Sequence, residues 1–235
     1  MDPTDYNNAN RYHLFKSIMP DVISSTVLDW GGNSGNLLRY SEGDITERLY
    51  TSVDVDAERL ELGSITHPDA SFIHYDRWNS AYNHNGPSDF NFPDINKEQD
   101  YIYSFSIFTH TDYDEFIKTF EWLDTFNYKR MAHSMLDINH TDRIEWFYNK
   151  RRKEYGDCVD FVEVSRDPTV NIMTVYDNDQ IIVNELQHPH INSHQCLVFY
   201  NMDWVCNDLK ERGHAVTVQR PEPEKQPFIV KKNVI

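Results

Sequence analysis

A glycine-rich turn that follows a short apolar segment is the part of this chain with the clearest chemical meaning. Segment and turn together read Val27-Leu28-Asp29-Trp30-Gly31-Gly32-Asn33-Ser34-Gly35. Glycine lets the backbone approach a ligand closely and adopt dihedral angles that a Cβ forbids. Asp54 stands at the end of the next predicted strand, and in an open α/β sheet ligands bind at the carboxyl ends of the strands. A carboxylate beside such a turn can accept hydrogen bonds from both ribose hydroxyls of an adenosine-like ligand.

Two nucleoside cofactors could use this arrangement. A dinucleotide site has the spacing G-x-G-x-x-G, which rests the pyrophosphate on a helix N-terminus, and this spacing is absent from the turn. Asp29 precedes the first glycine, where a carboxylate would repel a pyrophosphate but would suit a ligand with an ammonium group and a sulfonium charge. The turn therefore favours S-adenosylmethionine over NAD.

The segment from Leu28 to Gly35 resembles the first motif of the class I S-adenosylmethionine-dependent methyltransferases, commonly Leu-Asp-x-Gly-x-Gly-x-Gly. The chain departs from that motif at Asn33, which replaces the middle glycine. Asn tolerates a positive φ better than other non-glycine residues, so the turn can be kept. The resemblance implies that Asp54 holds the ribose of the cofactor and that Val55 lies against its adenine. The residues that it assigns to the methionine part are Gly31, Gly32, Asn33 and Gly35, and Asp29 joins them as a cofactor-binding residue.

Two later segments extend the resemblance. Ser71-Phe72-Ile73-His74-Tyr75-Asp76 looks like the family's third strand, whose terminal acidic residue, here Asp76, usually faces the adenine amino group. The segment from Asp100 to His110 is similar to the fourth-strand motif of small-molecule members, an Asp and an apolar strand followed by Phe-Thr-His. This similarity implies that Phe105 and Ser106 also contact the cofactor.

The candidate catalytic residue is His110, directly after the predicted fourth strand. Methyl transfer from a sulfonium is an in-line displacement that depends mainly on alignment, but a hydroxyl or carboxyl acceptor also needs a base. Histidine titrates near neutral pH, which suits this role. The alternative interpretation is that His110 caps the helix that begins near Asp112 or bonds to the backbone.

Two further residues were considered for the site. His133 is predicted to be a packing residue. Arg143 lies where this family often contacts its acceptor and could clamp a carboxylate or phosphate, although a solvated helix face is the other interpretation.

The charge balance argues against a nucleic-acid partner. The chain has 38 acidic and 22 basic residues, a formal net charge of -16, and polyanion binding depends on Lys and Arg contacts with phosphates. The basic run Lys150-Arg151-Arg152-Lys153 is interpreted as a complement to the negative C-terminal dipole of a helix.

Metal, disulfide and membrane signals in the sequence are weak. The segment from His188 to Cys196 contains histidines and a cysteine, but its spacing matches no standard zinc pattern. We therefore predict no metal and interpret this segment as a mobile lid or acceptor-binding loop.

The cysteines form no CxxC pair and are expected to be reduced. No apolar run is long enough for a membrane span and the N-terminus lacks signal-peptide features, so a cytoplasmic protein without a membrane partner is expected.

The order of predicted elements gives the fold class. Strands are predicted at 26–28, 50–55, 71–75, 100–108 and 129–136, and helices at 11–19, 36–41, 57–62, 112–123 and 141–154. This alternation predicts an α/β fold with a Rossmann-like, mostly parallel sheet and helices on both faces. Further predicted elements are two strands around Asp177-Asn178-Asp179, a helix over 202–212 that ends at Gly213, and a hairpin of 216–218 with 228–230. These late strands would add an antiparallel C-terminal edge.

We expect one methyltransferase domain over residues 1–235. It would consist of an N-terminal helical segment (1–25), a cofactor-binding core (26–137), and an acceptor-side and sheet-closing segment (138–235). The resemblance implies transfer of a methyl group from S-adenosylmethionine to oxygen or nitrogen of a small metabolite in specialised biosynthesis, with S-adenosylhomocysteine as product. Two alternatives stay open: a non-catalytic module that binds an adenosine nucleoside, which only Asn33 supports, and an NAD-dependent oxidoreductase.

Overall fold

The computed structural model describes residues 3–79, 82–83, 85–111, 113–137, 159–164, 170–175, 197–221 and 226–232. The elements in chain order are α1 (Pro3–Ile18), β1 (Val27–Trp30), α2 (Asn36–Arg39), β2 (Tyr50–Asp54), α3 (Ala57–Thr66), β3 (Ser71–His74), β4 (Tyr101–Ser104), α4 (Tyr113–Leu123), β5 (Arg130–Ser134), β6 (Leu136–Asp137), β7 (Val159–Val164), β8 (Val170–Val175), β9 (Leu197–Tyr200), α5 (Met202–Glu211), β10 (Val216–Gln219) and β11 (Phe228–Lys232). A 3₁₀ turn at Glu47–Leu49 precedes β2.

Seven strands form one sheet in the order β10-β11-β5-β4-β1-β2-β3. β1 pairs in parallel with β2 and β4, β2 pairs in parallel with β3, and β4 pairs in parallel with β5. All four residues of β1 are buried, as is usual for a central strand of a sheet covered on both faces. The C-terminal strands are antiparallel. The predicted Rossmann-like class, with its mostly parallel sheet and antiparallel C-terminal edge, is therefore confirmed.

A second sheet contains four strands in the order β6-β9-β8-β7. β8 pairs antiparallel with both β7 and β9, and β6 pairs in parallel with β9. β7, which the sequence analysis did not predict, pairs along the whole of β8, from Val159 opposite Val175 to Val164 opposite Val170. The predicted second strand up to 183 and the predicted helix at 141–154 lie outside the described residues.

Two compact units make up the chain. The first comprises Met1–Phe105, Phe120–His133 and Val230–Ile235, and the second comprises Ser106–Thr119 and Ser134–Ile229. The glycine turn and Asp54 therefore belong to the first unit, whereas His110 belongs to the second.

Aromatic side chains hold the long connection between β3 and β4 in the first unit. The ring of Phe92 stacks on that of Trp122 at 4.4 Å between centroids and lies 5.7 Å from the ring of Tyr75. Trp30, at the end of β1, contacts all three of these rings. The described residues of this connection form no helix or long strand, in agreement with the predicted loop. Ring contacts therefore fix a segment whose Pro and Asn content excludes regular structure.

Several element boundaries differ from the sequence prediction for local reasons. α3 continues to Thr66 rather than ending near 62, and its start is fixed by the carboxylate of Asp56, which accepts the N–H of Arg59. β4 ends at Ser104 rather than at 108, because Ser106 adopts φ 61°, which no strand allows. Gly213 follows α5 with φ 93°, as predicted. No helix among the described residues is long and apolar enough to cross a membrane.

Candidate functional site

The glycine turn links β1 to α2 through a series of left-handed backbone conformations. Gly31 and Gly35 both have φ 82°, and Asn33 between them has φ 53°. The N–H of Gly31 donates to the carbonyl of Val53 at 2.7 Å, which continues the β1–β2 pairing into the turn. Asn33 therefore takes the conformation that the sequence analysis expected it to tolerate in place of glycine.

Gly32 lies where the turn passes closest to its neighbours. A Cβ at this position would lie 2.5 Å from Oγ of Ser52 and 2.9 Å from Cγ of Asp29. A side chain would therefore displace β2 or the Asp29 carboxylate. The absence of a Cβ at Gly32 therefore lets the turn pack closely against Ser52 and Asp29.

The carboxylate of Asp54 joins the glycine turn to the connection between β2 and α3. Its Oδ2 accepts the N–H of Asn33 at 2.8 Å, and its Oδ1 accepts the N–H of Asp56 at 3.0 Å. Burial raises the pKa of Asp54, while these two backbone hydrogen bonds act in the opposite direction. Each carboxylate oxygen has capacity for a further hydrogen bond. Asp54 can therefore hold the turn and still accept two hydroxyl groups.

Asp29 is a buried carboxylate on the strand that enters the turn. Its side chain is only 4% exposed, and its Oδ2 accepts the phenol O–H of Tyr50 at 2.7 Å. Burial raises the pKa of Asp29 to about 7, although the Tyr50 hydrogen bond and the nearby positive charge of Arg11 lower it. The carboxyl is therefore close to its midpoint at neutral pH, and a ligand cation beside it would favour the ionised form.

A cleft in the first unit brings some of the predicted residues together. The empty space in this cleft, counted together with its open mouth, is about 260 Å³. The predicted residues that line it are Asp29, Gly31, Gly32 and Phe105; those the sequence analysis did not single out are Arg11, Asn36, Leu37 and Tyr103. One feature of the sequence could have identified Arg11: it lies one helical turn before Phe15, on the apolar face of the N-terminal helix.

Val55 and Asp76 lie beside Asp54 at the same edge of the sheet. The N–H of Tyr75 donates to the carbonyl of Asp54 at 2.8 Å, so the chain leaves β3 directly alongside the end of β2. Asp76 is exposed, and its Oδ1 accepts the side-chain amide of Asn83 at 3.0 Å. The carbonyl of Val55 accepts a hydrogen bond of 3.2 Å from Nε2 of His74. This edge is where the sequence analysis placed the ribose and adenine.

Ser106 and His110 lie in the second unit. The N–H of Ser106 donates to Oγ of Ser134 at 2.7 Å, and its own Oγ accepts the amide of Gln226 at 3.1 Å. These bonds hold Ser106 in its left-handed conformation. His110 is half-buried in the turn before α4, and its N–H donates to the carbonyl of Ile107 at 3.0 Å. The roles of both residues stay predictions.

His133 is fully buried in β5, and its Nδ1 lies 2.6 Å from Oγ of Ser104. Burial lowers the pKa of His133 to about 3, so its ring is neutral at physiological pH. It is a packing residue, as predicted.

Some of the predicted features lie outside the described residues: Arg143, the basic run at 150–153 and the segment 188–196. Within the described ranges, no group of three His, Cys, Asp or Glu side chains could hold a metal ion.

Comparisons with known proteins identify the fold. No family model matches the sequence, and no curated protein sequence matches it significantly. DesVI of Streptomyces venezuelae is similar in structure, with a TM-score of 0.55 and 13% identity over 98% of this chain and 92% of that one. An S-adenosylmethionine-dependent methyltransferase from Clostridium acetobutylicum has a TM-score of 0.55 and 12% identity over 97% and 91% of the two chains. Magnesium protoporphyrin IX methyltransferase from Synechocystis, solved with bound SAH, has a TM-score of 0.53 and 7% identity over 97% and 82%. The Leu28–Gly35 motif covers the end of β1 and the turn that leads to α2, and this chain has the fold of the S-adenosylmethionine-dependent methyltransferases.

Proposed function

We propose that the chain is an S-adenosylmethionine-dependent methyltransferase that methylates oxygen or nitrogen of a small metabolite in specialised biosynthesis. The observation that carries the proposal is the position of the Asp54 carboxylate, which is held between the N–H groups of Asn33 and Asp56. The two carboxylate oxygens therefore lie at the C-terminal end of β2, beside the glycine turn. In open α/β sheets this end of the strands is where ligands bind.

The chemistry of the described residues fits the cofactor. Asp54 would accept both ribose hydroxyls, and Val55 and Asp76 would contact the adenine at the same edge. Asp29 would pair with the α-ammonium group, while the backbone from Gly31 to Gly35 and the ring of Phe105 would pack against the methionine part. When bound, S-adenosylmethionine supplies an electrophilic methyl group on a sulfonium.

The contribution of this chain to the reaction would be positioning and proton transfer. Holding donor and acceptor in line supplies much of the rate enhancement in such a displacement. We assign His110 as the general base that takes the proton from the acceptor, because a neutral imidazole can do this near neutral pH. Ser106 would contact the cofactor from the same connection, and Arg143 would bind an anionic group of the acceptor.

Two observations support a small acceptor. The net charge of -16 disfavours a nucleic-acid substrate. One of the similar structures is by name a magnesium protoporphyrin IX methyltransferase, so its named acceptor is a small molecule. We further propose that the protein acts in the cytoplasm as a single domain, with the cofactor on residues 26–137 and the acceptor on residues 138–235.

Calorimetry with S-adenosylmethionine, S-adenosylhomocysteine and NAD tests the cofactor assignment. The first two ligands are expected to bind and NAD is not, because the Asp29 carboxylate beside the turn opposes a pyrophosphate. Transfer of a labelled methyl group to a panel of hydroxyl, carboxyl and amine acceptors then tests for enzyme activity. Binding of NAD alone would favour the oxidoreductase, and cofactor binding without transfer to any acceptor would favour the non-catalytic module.

A further inference from the structure

A buried side-chain amide just before β11 has an oxygen without a hydrogen-bond partner. Gln226 is only 7% exposed, and its Nε2 donates to Oγ of Ser106 at 3.1 Å. Its Oε1 is also buried and accepts no hydrogen bond from any residue that the structure describes. A carbonyl oxygen that loses water and gains no donor destabilises the folded state, and nearly all buried polar groups of native proteins are paired. The Gln226 oxygen therefore points to a donor that a ligand supplies.

Hydrogen bonds within the second unit hold this amide beside the ends of two central strands. Ser106 lies two residues after β4, and its N–H donates to Oγ of Ser134, the last residue of β5. The N–H of Met135 donates to the carbonyl of Pro227 at 3.0 Å, which fixes the residue directly after Gln226. Ligands of open α/β sheets bind at the carboxyl ends of the strands. The amide of Gln226 therefore lies at the end of the sheet where an acceptor is expected.

The turn that Gln226 holds also carries the proposed base. Oγ1 of Thr109 donates to the carbonyl of Ser106 at 2.9 Å, and the N–H of His110 donates to the carbonyl of Ile107 at 3.0 Å. These two bonds close residues 106–110 into one compact turn. Its first residue is bonded to the Gln226 amide and its last residue is His110. One acceptor group can therefore meet both the amide oxygen and the imidazole.

The chemistry of an amide oxygen beside a base distinguishes the possible acceptor groups. A carbonyl oxygen only accepts hydrogen bonds, so a carboxylate acceptor has no donor for it. An alcohol that has given its one proton to the base has no donor left, and its negative oxygen would face the oxygen of Gln226. A primary ammonium group that gives one proton to the base keeps two N–H groups. One of these can bond to Oε1 while the nitrogen lone pair stays free.

We propose that Gln226 selects a primary amine as the methyl acceptor, by accepting a hydrogen bond from its N–H at Oε1. This inference rests on the proposed function and narrows the methylated atom to nitrogen. The nitrogen lone pair forms the new C–N bond, the C–S bond of S-adenosylmethionine breaks, and the sulfur keeps the electron pair of that bond. The proton that the nitrogen loses goes to His110. The bond to Gln226 orients the nitrogen, and such alignment supplies much of the rate in a displacement.

The test first compares acceptors that share one skeleton and differ only in the reacting group. Transfer of a labelled methyl group is measured with benzylamine, benzyl alcohol and benzoate, and again with butylamine, butan-1-ol and butyrate. The wild type is expected to methylate the amines with the highest kcat/KM and the carboxylates not at all, because only the amines keep a donor for Gln226.

Two variants of Gln226 then test the residue itself. Gln226→Met keeps the length of the side chain but removes both polar atoms. It is expected to raise the KM for the amine by roughly 10-fold, the value of one hydrogen bond, and to leave S-adenosylhomocysteine affinity by calorimetry unchanged. Gln226→Glu keeps an acceptor oxygen, so the KM for the amine should rise less than in Gln226→Met.

Gln99→Met provides the matched control. Gln99 is also a buried glutamine, 5% exposed, whose Nε2 donates a single hydrogen bond of 2.8 Å to the carbonyl of Asn96. It precedes β4 and so lies at the amino end of that strand, away from the end where ligands bind. This variant loses a comparable internal bond and is expected to keep the wild-type KM for the amine.

The outcomes separate this inference from the proposed function. Absence of methyl transfer to every acceptor would overturn both together. Transfer to the alcohols or carboxylates in preference to the amines would uphold the proposed function and contradict the inference. If Gln226→Met keeps the wild-type KM for the amine, Gln226 only packs the turn and the inference is wrong. If Gln226→Met also loses S-adenosylhomocysteine affinity, Gln226→Glu decides: a KM raised as far as in Gln226→Met contradicts the inference, and a smaller rise supports it.

Discussion

The backbone N–H of Asn33 donates a hydrogen bond of 2.8 Å to the carboxylate of Asp54. The residue that departs from the common glycine motif is therefore tied directly to the predicted ribose-binding residue. Asn33 forms this bond in a left-handed conformation, with φ 53°. The side chain adds a second fixed point, since its Oδ1 accepts the N–H of Ser34 at 2.9 Å.

Substitutions at Asn33 test whether this departure impairs the site. Asn33→Gly keeps the positive φ without steric cost, so S-adenosylhomocysteine affinity and methyl transfer are expected to stay at the wild-type level. Asn33→Ala is expected to lower the free energy of unfolding by ~1 kcal/mol, the cost of a left-handed residue with a Cβ. Urea denaturation and calorimetry measure the two effects. Activity that appears only in the glycine variant would instead identify the natural chain as a non-catalytic module.

Replacement of Asp54 tests the ribose contact. Asp54→Asn keeps one oxygen acceptor but places an amide N–H₂ opposite one of the two backbone donors, from Asn33 or Asp56. Loss of charge-assisted hydrogen bonds is expected to reduce S-adenosylhomocysteine affinity by roughly 10- to 100-fold. The control is Asp56→Asn, which preserves the N-cap of α3, because Asn caps a helix as well as Asp. Equal losses in the two variants would show that the Asp54 carboxylate has no special role in binding.

Much of the site could be predicted because its signals are local. The order of strand, glycines and helix identifies the turn, and the preference of Asn for positive φ predicts the conformation of Asn33. Arg11 was not identified, since its position depends on Phe105, which is distant in sequence. β7 and its pairing with β8 were not predicted either, since such a pairing depends on competition between strands rather than on a local turn signal.

The stability of the protein should depend on pH through Asp29. The pKa of this carboxyl is raised by burial from 3.8 to about 7, so the folded state holds its proton more tightly than the unfolded state. The stabilisation that this provides is complete below pH 3.8 and is lost as the pH rises through about 7. Asp29→Asn removes the titration. The free energy of unfolding of the variant should therefore rise relative to the wild type between about pH 4 and about pH 7, and the difference should be constant above that range.

The same titration should appear in cofactor binding. A cationic ammonium group needs the ionised Asp29, so S-adenosylhomocysteine affinity of the wild type should increase between about pH 6 and about pH 8. Calorimetry in buffers of different ionisation enthalpy should show a proton released on binding at the lower pH. In Asp29→Asn both the pH dependence and the released proton should be absent. A wild-type affinity that is flat over this range would contradict the ammonium contact.

His110 is the residue whose assignment depends most on kinetics. Its N–H bond to Ile107 fixes the turn through the backbone, so His110→Ala keeps that bond and removes only the imidazole. If the imidazole is the general base, the turnover number should fall by about 100-fold while S-adenosylhomocysteine affinity stays unchanged. In His110→Ala the fall in rate at acid pH, which reports protonation of the base, should disappear as well. Loss of packing alone would not remove this pH dependence. His214→Ala, in the turn after α5, serves as the control histidine and should keep both the rate and the profile. Retention of full activity by His110→Ala would mean that alignment alone drives transfer and that the acceptor loses its proton to water.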